Sequence, residues 1–178
     1  KAVAVLCGWL HTCALLVEGE IWCWGDDKWG QLGTYAVSDN YSDIPVKVGG
    51  EHKWVALSAE FGHACAIDAQ GAVWCWGRDD EGQLGTGQYH DGGVGEPVAT
   101  TLEEGVVSLA AGSEHSCAID AQGAVWCWGK TWCSFDEVGG SVSCSLSPSK
   151  VAGMENALTI SAGRNHTCAV TANDVLCW

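Results

Sequence analysis

The sequence predicts an all-β fold of short antiparallel strands repeated around an axis, a propeller or a related radial array. A His-x-Cys-Ala motif returns at a fixed interval, a Cys-Trp pair follows each copy, and short apolar runs alternate between them. The copies start at His11, His63, His115 and His166, with spacings of 52, 52 and 51 residues. Cys23-Trp24, Cys75-Trp76, Cys127-Trp128 and Cys177-Trp178 follow them, and Gly25, Gly77 and Gly129 close the first three. Gly-Gln-Leu-Gly occurs at 30–33 and 82–85, and Pro45, Pro97 and Pro148 keep the period. Ala66–Gly77 is repeated unchanged as Ala118–Gly129. The chain reads as one domain, 1–178, with units of roughly 1–52, 53–104, 105–155 and an incomplete 156–178.

Each unit centres on a hairpin whose register follows from its cysteines. With Cys65 opposite Cys75, Ala66 faces Trp74, Ile67 faces Val73 and Asp68 faces Ala72, leaving Ala69-Gln70-Gly71 as the loop. A three-residue hairpin loop needs a left-handed residue at its end, and Gly71 supplies it. Gly19 and Gly123 take the same place in their units. The fourth unit is one residue shorter, so Ala172-Asn173 forms a two-residue loop in which Asn173 tolerates positive φ. Strand alternation puts Cys65, Ile67, Val73 and Cys75 on one face and Ala64, Ala66, Trp74 and Trp76 on the other. Both faces are apolar, so both need cover, and small Ala opposite large Trp suits interlocking sheets. Gly25, Gly77 and Gly129 are placed for a bend or a close backbone approach after the strand.

Composition narrows the functional classes. Eight Lys plus Arg stand against 22 Asp plus Glu, a net charge of −14. Such a chain repels phosphate, so nucleic acid is not an expected partner. No apolar run is long enough to cross a bilayer, so membrane insertion is not expected. Hydrophobic residues make up 47%, enough to build a core.

There are 11 cysteines. The hairpin register opposes Cys13 to Cys23, Cys65 to Cys75, Cys117 to Cys127 and Cys168 to Cys177, at separations compatible with disulfides. Cys133 and Cys144 flank an insertion and form a plausible fifth pair. Cys7 is left over, as a free buried thiol or one that pairs with further chain. Reduced core thiols and metal binding are the alternatives, but the short Cys-x-x-Cys knuckles of zinc sites are missing. Disulfides imply an extracellular, periplasmic or cell-surface setting.

In one register, His-x-Cys-Ala-(Leu/Ile), Cys-Trp-Gly and Gly-Gln-Leu-Gly resemble the RCC1-type repeat (regulator of chromosome condensation), in its cysteine-containing extracytoplasmic form. The resemblance covers nearly the whole chain. It implies a seven-bladed β-propeller with four-stranded antiparallel blades, of which about three and a half are present. The remaining blades, or neighbouring subunits, would then cover the bare sheet faces. Asp27 and Asp79 stand where the family usually has Asn, and the third unit has the 132–147 insertion in place of Gly-Gln-Leu-Gly. The founding member's role as an exchange factor for a small GTPase is a possibility, but no exchange residues carry over.

Site residues are sought where the repeat breaks. The four motif histidines recur in every unit, which suits hydrogen bonding to neighbouring backbone better than catalysis. No catalytic triad, zinc-protease motif or phosphate loop occurs, so no enzyme activity, cofactor or metal is expected. The acidic loops lack a calcium-binding spacing. Trp9, Trp29, Trp54 and Trp132 break the repeat, and with Phe135 they are the candidate contact surface. The expected function is a non-enzymatic scaffold that binds a protein or a surface polymer. Alternatives are a regulator of an enzyme, as a protein inhibitor or small-GTPase exchange factor, and a structural subunit of a surface fibre or envelope assembly.

Overall fold

The computed structural model describes residues 1–37, 39–103, 105–130 and 145–178. The strands are β1 Ala2–Cys7, β2 His11–Leu16, β3 Ile21–Asp26, β4 Tyr41–Lys47, β5 Trp54–Glu60, β6 His63–Asp68, β7 Val73–Asp79, β8 His90–Ala99, β9 Val106–Ala111, β10 His115–Asp120, β11 Val125–Gly129, β12 Ser145–Lys150, β13 Thr159–Ala162, β14 Thr167–Val170 and β15 Val175–Cys177. They form three antiparallel meanders, β1-β2-β3-β4, β5-β6-β7-β8 and β9-β10-β11-β12, and a three-stranded sheet, β13-β14-β15. These are blades of an unclosed propeller, with β1, β5, β9 and β13 as neighbouring innermost strands.

The hairpin register is the one the cysteines dictate. Cys65 pairs with Cys75, Ala66 with Trp74 and Ile67 with Val73, and the same pattern holds between β2 and β3 and between β10 and β11. Gly19, Gly71 and Gly123 end their loops at φ of 76°, 84° and 78°. Asp68 Oδ1 accepts from the N–H groups of Gln70 and Ala72, and Asp120 repeats this with Gln122 and Ala124. The fourth hairpin has its two-residue loop, but Asn173 is not among the positive-φ residues. Thr171 Oγ1 instead accepts from the N–H groups of Asn173 (3.3 Å) and Asp174 (3.1 Å), which turns the chain with negative φ.

Three cores lie between successive sheets. The first contains Leu15, Ile21, Leu32, Val48, Ala64 and Trp76; the second contains Ile67, Val73, Leu84, Val106 and Trp128; the third contains Ile119, Val125, Met154 and Ile160. The second and third sheets therefore bury their Cys–Ile–Val faces against the following sheet and their Ala–Trp faces against the preceding one.

The Gly-Gln-Leu-Gly turns join neighbouring sheets. Gln31 and Gln83 place their carbonyls where the indole N–H groups of Trp76 (3.1 Å) and Trp128 (2.8 Å) donate from the next sheet. A Cβ on Gly33 or Gly85 would sit 2.8 Å from those indoles, so only glycine fits. Leu32 and Leu84 are fully buried, and their N–H groups donate to Asp27 Oδ1 (2.9 Å) and Asp79 Oδ1 (3.0 Å). Burial pushes both carboxyls up, and these backbone hydrogen bonds oppose the shift. Gly25 and Gly77, at φ of 110° and 98°, mark bulges where an added Cβ would collide with the carbonyls of Leu10 and Gly62.

In the described residues, the sulfurs of Cys13–Cys23, Cys65–Cys75, Cys117–Cys127 and Cys168–Cys177 stand at disulfide bonding distance. Cys133 and Cys144 lie outside the described residues. Cys7 is unpaired there, and it is exposed rather than buried: on the innermost strand of the first sheet no further sheet covers it.

Candidate functional site: an aromatic cleft between the first two sheets

The motif histidines were expected to bond backbone within their own units. Two of them instead reach a hydroxyl in the next sheet. His63 Nε2 lies 2.8 Å from Ser116 Oγ, and His115 Nε2 lies 2.7 Å from Thr167 Oγ1. A serine has one hydroxyl proton, and Ser116 gives it to the Gln83 carbonyl at 3.0 Å. Ser116 therefore accepts from His63, which fixes His63 as the neutral Nε2–H tautomer with a buried, unpartnered Nδ1. At the same register the sheet facing His11 has Ala64, so both ring nitrogens of His11 are buried without a partner. Burial lowers His11 and His115 to about 4 and His63 to about 3. These neutral imidazoles are built into the sheet contacts: the hydroxyls beside them, Ser116 and Thr167, are buried, and Ser116 gives its proton to the Gln83 carbonyl and not to the ring.

What stands out is a cleft of about 350 Å³ where the loops of the first two sheets meet. Trp9 and Phe61 occupy corresponding places in consecutive units, each two residues before the motif histidine. Their rings stack with centroids 5.0 Å apart and planes 5° from parallel, and the Trp9 N–H donates to the Phe61 carbonyl at 3.2 Å. Trp9 is nevertheless 68% exposed. Trp29 forms another wall, with Lys28 Nζ 4.9 Å and the Arg78 guanidinium 5.9 Å from its ring centre; Arg78 also lies 5.1 Å from the Phe61 ring. Asp26 is held by the Gln31 side-chain amide. Arg78 pairs with Asp80 and Glu114, while its Nε–H is buried without a partner.

The expected contact tryptophans divide accordingly. Trp9 and Trp29 come together in this cleft. Trp54 does not belong to a surface: it is 5% exposed and packs against Trp76 at 6.1 Å and His52 at 4.6 Å. It breaks the repeat in identity only, since Val106 fills the same place in the next unit and is also buried. Trp132 and Phe135 lie outside the described residues. Phe61 and Arg78 were missed by the sequence reading, although Phe61 stands one repeat after Trp9. Among the described residues, no group of three or more His, Cys, Asp or Glu side chains is arranged to hold a metal ion.

The stacked meanders and their recurring motifs define a partial propeller of repeat blades. Residues 18–67 and 70–119 match the regulator of chromosome condensation (RCC1) repeat, and the chain belongs to that family. It is 30% identical to the ultraviolet-B receptor UVR8 of Arabidopsis thaliana over 99% of this chain and 40% of that protein. Among solved structures, human WBSCR16 superposes with a TM-score of 0.88 at 22% identity, over all of this chain and 47% of that one. Yeast RCC1 (Prp20), in its complex with Kap60, superposes with a TM-score of 0.83 at 23% identity, over all of this chain and 43% of that one. The chain thus spans less than half the length of each.

Proposed function

We propose that this chain is a non-enzymatic interaction module that binds a protein partner through the Trp9–Phe61–Trp29 cleft and works outside the cytoplasm. The observation that carries this reading is the exposure of Trp9. The fold does not require an aromatic there, because Ser113 and Arg164 take its place in the later units. A large indole left in water and braced by a stacked ring suits a contact anchor. A protein partner is in line with the structural neighbour yeast RCC1 (Prp20), which was solved bound to Kap60. The four cross-strand cysteine pairs support an oxidising compartment. The bare faces of the first and last sheets are to be covered by further blades or by neighbouring subunits.

The test is capture of partners by the immobilised chain from a secreted or surface fraction of its source, run beside Trp9→Ala. A partner retained by the parent chain and lost with the variant supports the reading. Equal capture by both, or a hydrolase activity abolished by changing one loop residue, contradicts it.

A further inference from the structure

We propose that two copies of this chain join head to tail in a closed ring, the last sheet of each on the first sheet of the other. The contact is separate from the Trp9 cleft and does not depend on it. Within the chain, every contact between sheets sets a Cys-bearing face against the Ala-bearing face of the sheet that follows. One face of each kind is left over. On the first sheet Val5, Cys7, Thr12, Ala14, Trp22 and Trp24 point away from the second. Val5 is 58% exposed, and Trp24 is half-buried where its counterparts Trp76 and Trp128 are fully buried. On the last sheet Ser161, His166, Val175 and Cys177 are exposed, whereas His63, Val73 and Cys75 at the same register in the second sheet are buried.

The two spare faces carry the partners that join the second sheet to the third. There His63 Nε2 meets Ser116 Oγ at 2.8 Å, and Ser58 Oγ accepts from the Ala111 N–H at 2.9 Å. On the last sheet His166 and Ser161 take the places of His63 and Ser58; on the first, Thr12 and Cys7 take those of Ser116 and Ala111. A threonine already serves in this position, since His115 Nε2 lies 2.7 Å from Thr167 Oγ1. Among the described residues the Thr12 hydroxyl meets only the Cys7 sulfur, at 3.8 Å, so it is open to accept from His166. Two of the three internal contacts are less complete: Ala64 stands in place of the hydroxyl in the first, and Ala110 in place of Ser58 in the third. No carboxylate or ammonium stands among these residues, so the charge of −14 on each copy lies outside the contact.

A contact between unlike faces closes into a ring or runs on as an open filament. Four sheets in each copy make a ring of eight, within the four to eight blades of known propellers. That is one blade more than the family resemblance implies, so each contact opens by about 6°. The fourth unit has no Gly-Gln-Leu-Gly turn to receive the Trp24 indole, which makes the contact weaker than the internal ones and the ring reversible.

The experiment is sedimentation velocity on the 178-residue chain over a wide range of concentration, beside Thr12→Arg on the first face and Val175→Lys on the last. Thermal midpoints of the variants verify that the fold is kept. The parent chain should pass from one copy to two as concentration rises and go no further. Each variant alone should stay single. An equal mixture of the two should regain part of the association, because it restores one intact contact. Thr12→Val, which removes the acceptor alone, should weaken the dimer at least about 10-fold. A parent chain that stays single at every concentration overturns the inference and leaves these faces to further blades. Loss with one variant only means that a face pairs with its own copy, loss with neither places the association elsewhere, and growth beyond two copies removes the closed ring; each overturns it. Trp9→Ala should associate as the parent does, so this inference and the cleft reading fail separately.

Discussion

His63 Nε2 and Ser116 Oγ, 53 residues apart in sequence, meet at 2.8 Å between the second and third sheets. Ser116 passes its own proton to the Gln83 carbonyl, which also receives the Trp128 indole N–H. One buried cluster therefore ties a motif histidine, the residue after the next motif histidine, a Gly-Gln-Leu-Gly turn and a Cys-Trp pair. Motifs that look independent in the sequence are parts of one contact between sheets.

The first contact lacks one part of this cluster. Ala64 stands where Ser116 stands one unit later, and His11 is left with no partner. Ala64 pairs with Trp76 as Ser116 pairs with Trp128, and the Gln31 carbonyl is placed like that of Gln83. Ala64→Ser should therefore supply an acceptor for His11 and stabilise the chain by about 1 kcal/mol. Ser116→Ala should destabilise it by about 2 kcal/mol, because it strands His63. Thermal and urea unfolding of the two variants check this; a destabilising Ala64→Ser would show that the register equivalence is false.

Stability should fall in mild acid. His11, His63 and His115 have folded pKa values of about 4, 3 and 4, below the unfolded value near 6.5. Between pH 6.5 and about 4 the unfolded chain takes up protons that the folded chain refuses, so stability present above pH 6.5 is lost on acidification. At pH 4 the loss approaches about 3 kcal/mol for each histidine. Asp27 and Asp79 act with the opposite sign, because their raised carboxyls bind protons more readily when folded, and they offset part of the loss. Urea midpoints from pH 7.5 to 4.5 should fall steadily; a flat or rising profile would mean that the imidazoles are hydrated or charged in the fold.

The cysteine pairs should hold the hairpins covalently. Cys65 and Cys75 close a loop with a sequence separation of 10, which in the chain-entropy model contributes about 3 kcal/mol. Cys65→Ser with Cys75→Ser should lower stability by that order while leaving the strand content intact. Peptide mapping without reductant should recover Cys13–Cys23, Cys65–Cys75, Cys117–Cys127 and Cys168–Cys177 as linked pairs. Alkylation of these thiols in the native protein would remove the case for an oxidising compartment and leave the propeller in place.

Much of the fold was legible because the repeat samples one local structure several times. Three loops ending in Gly19, Gly71 and Gly123 and four opposed cysteine pairs overdetermine the hairpin register. The contacts between sheets were harder to read, since His63 and Ser116 belong to different units and nothing local links them. A signal was nonetheless present, as the residue after each motif histidine reads Thr, Ala, Ser, Thr. Trp54 misled because a change of residue type was taken for a change of environment, while the position stays apolar and buried in the next unit. Trp9 and Trp29 were found by the same rule, but Phe61 and Arg78 join them only through the meeting of two sheets.

The central claim is that the blades clasp one another through paired motif residues in consecutive units. A double-mutant cycle on His63→Ala and Ser116→Ala, read by urea unfolding, tests it directly. The clasp predicts that the two changes together cost less than the sum of their separate costs, with a coupling of at least about 1 kcal/mol. Strict additivity would contradict it, because it would mean that the second and third sheets do not meet at these residues.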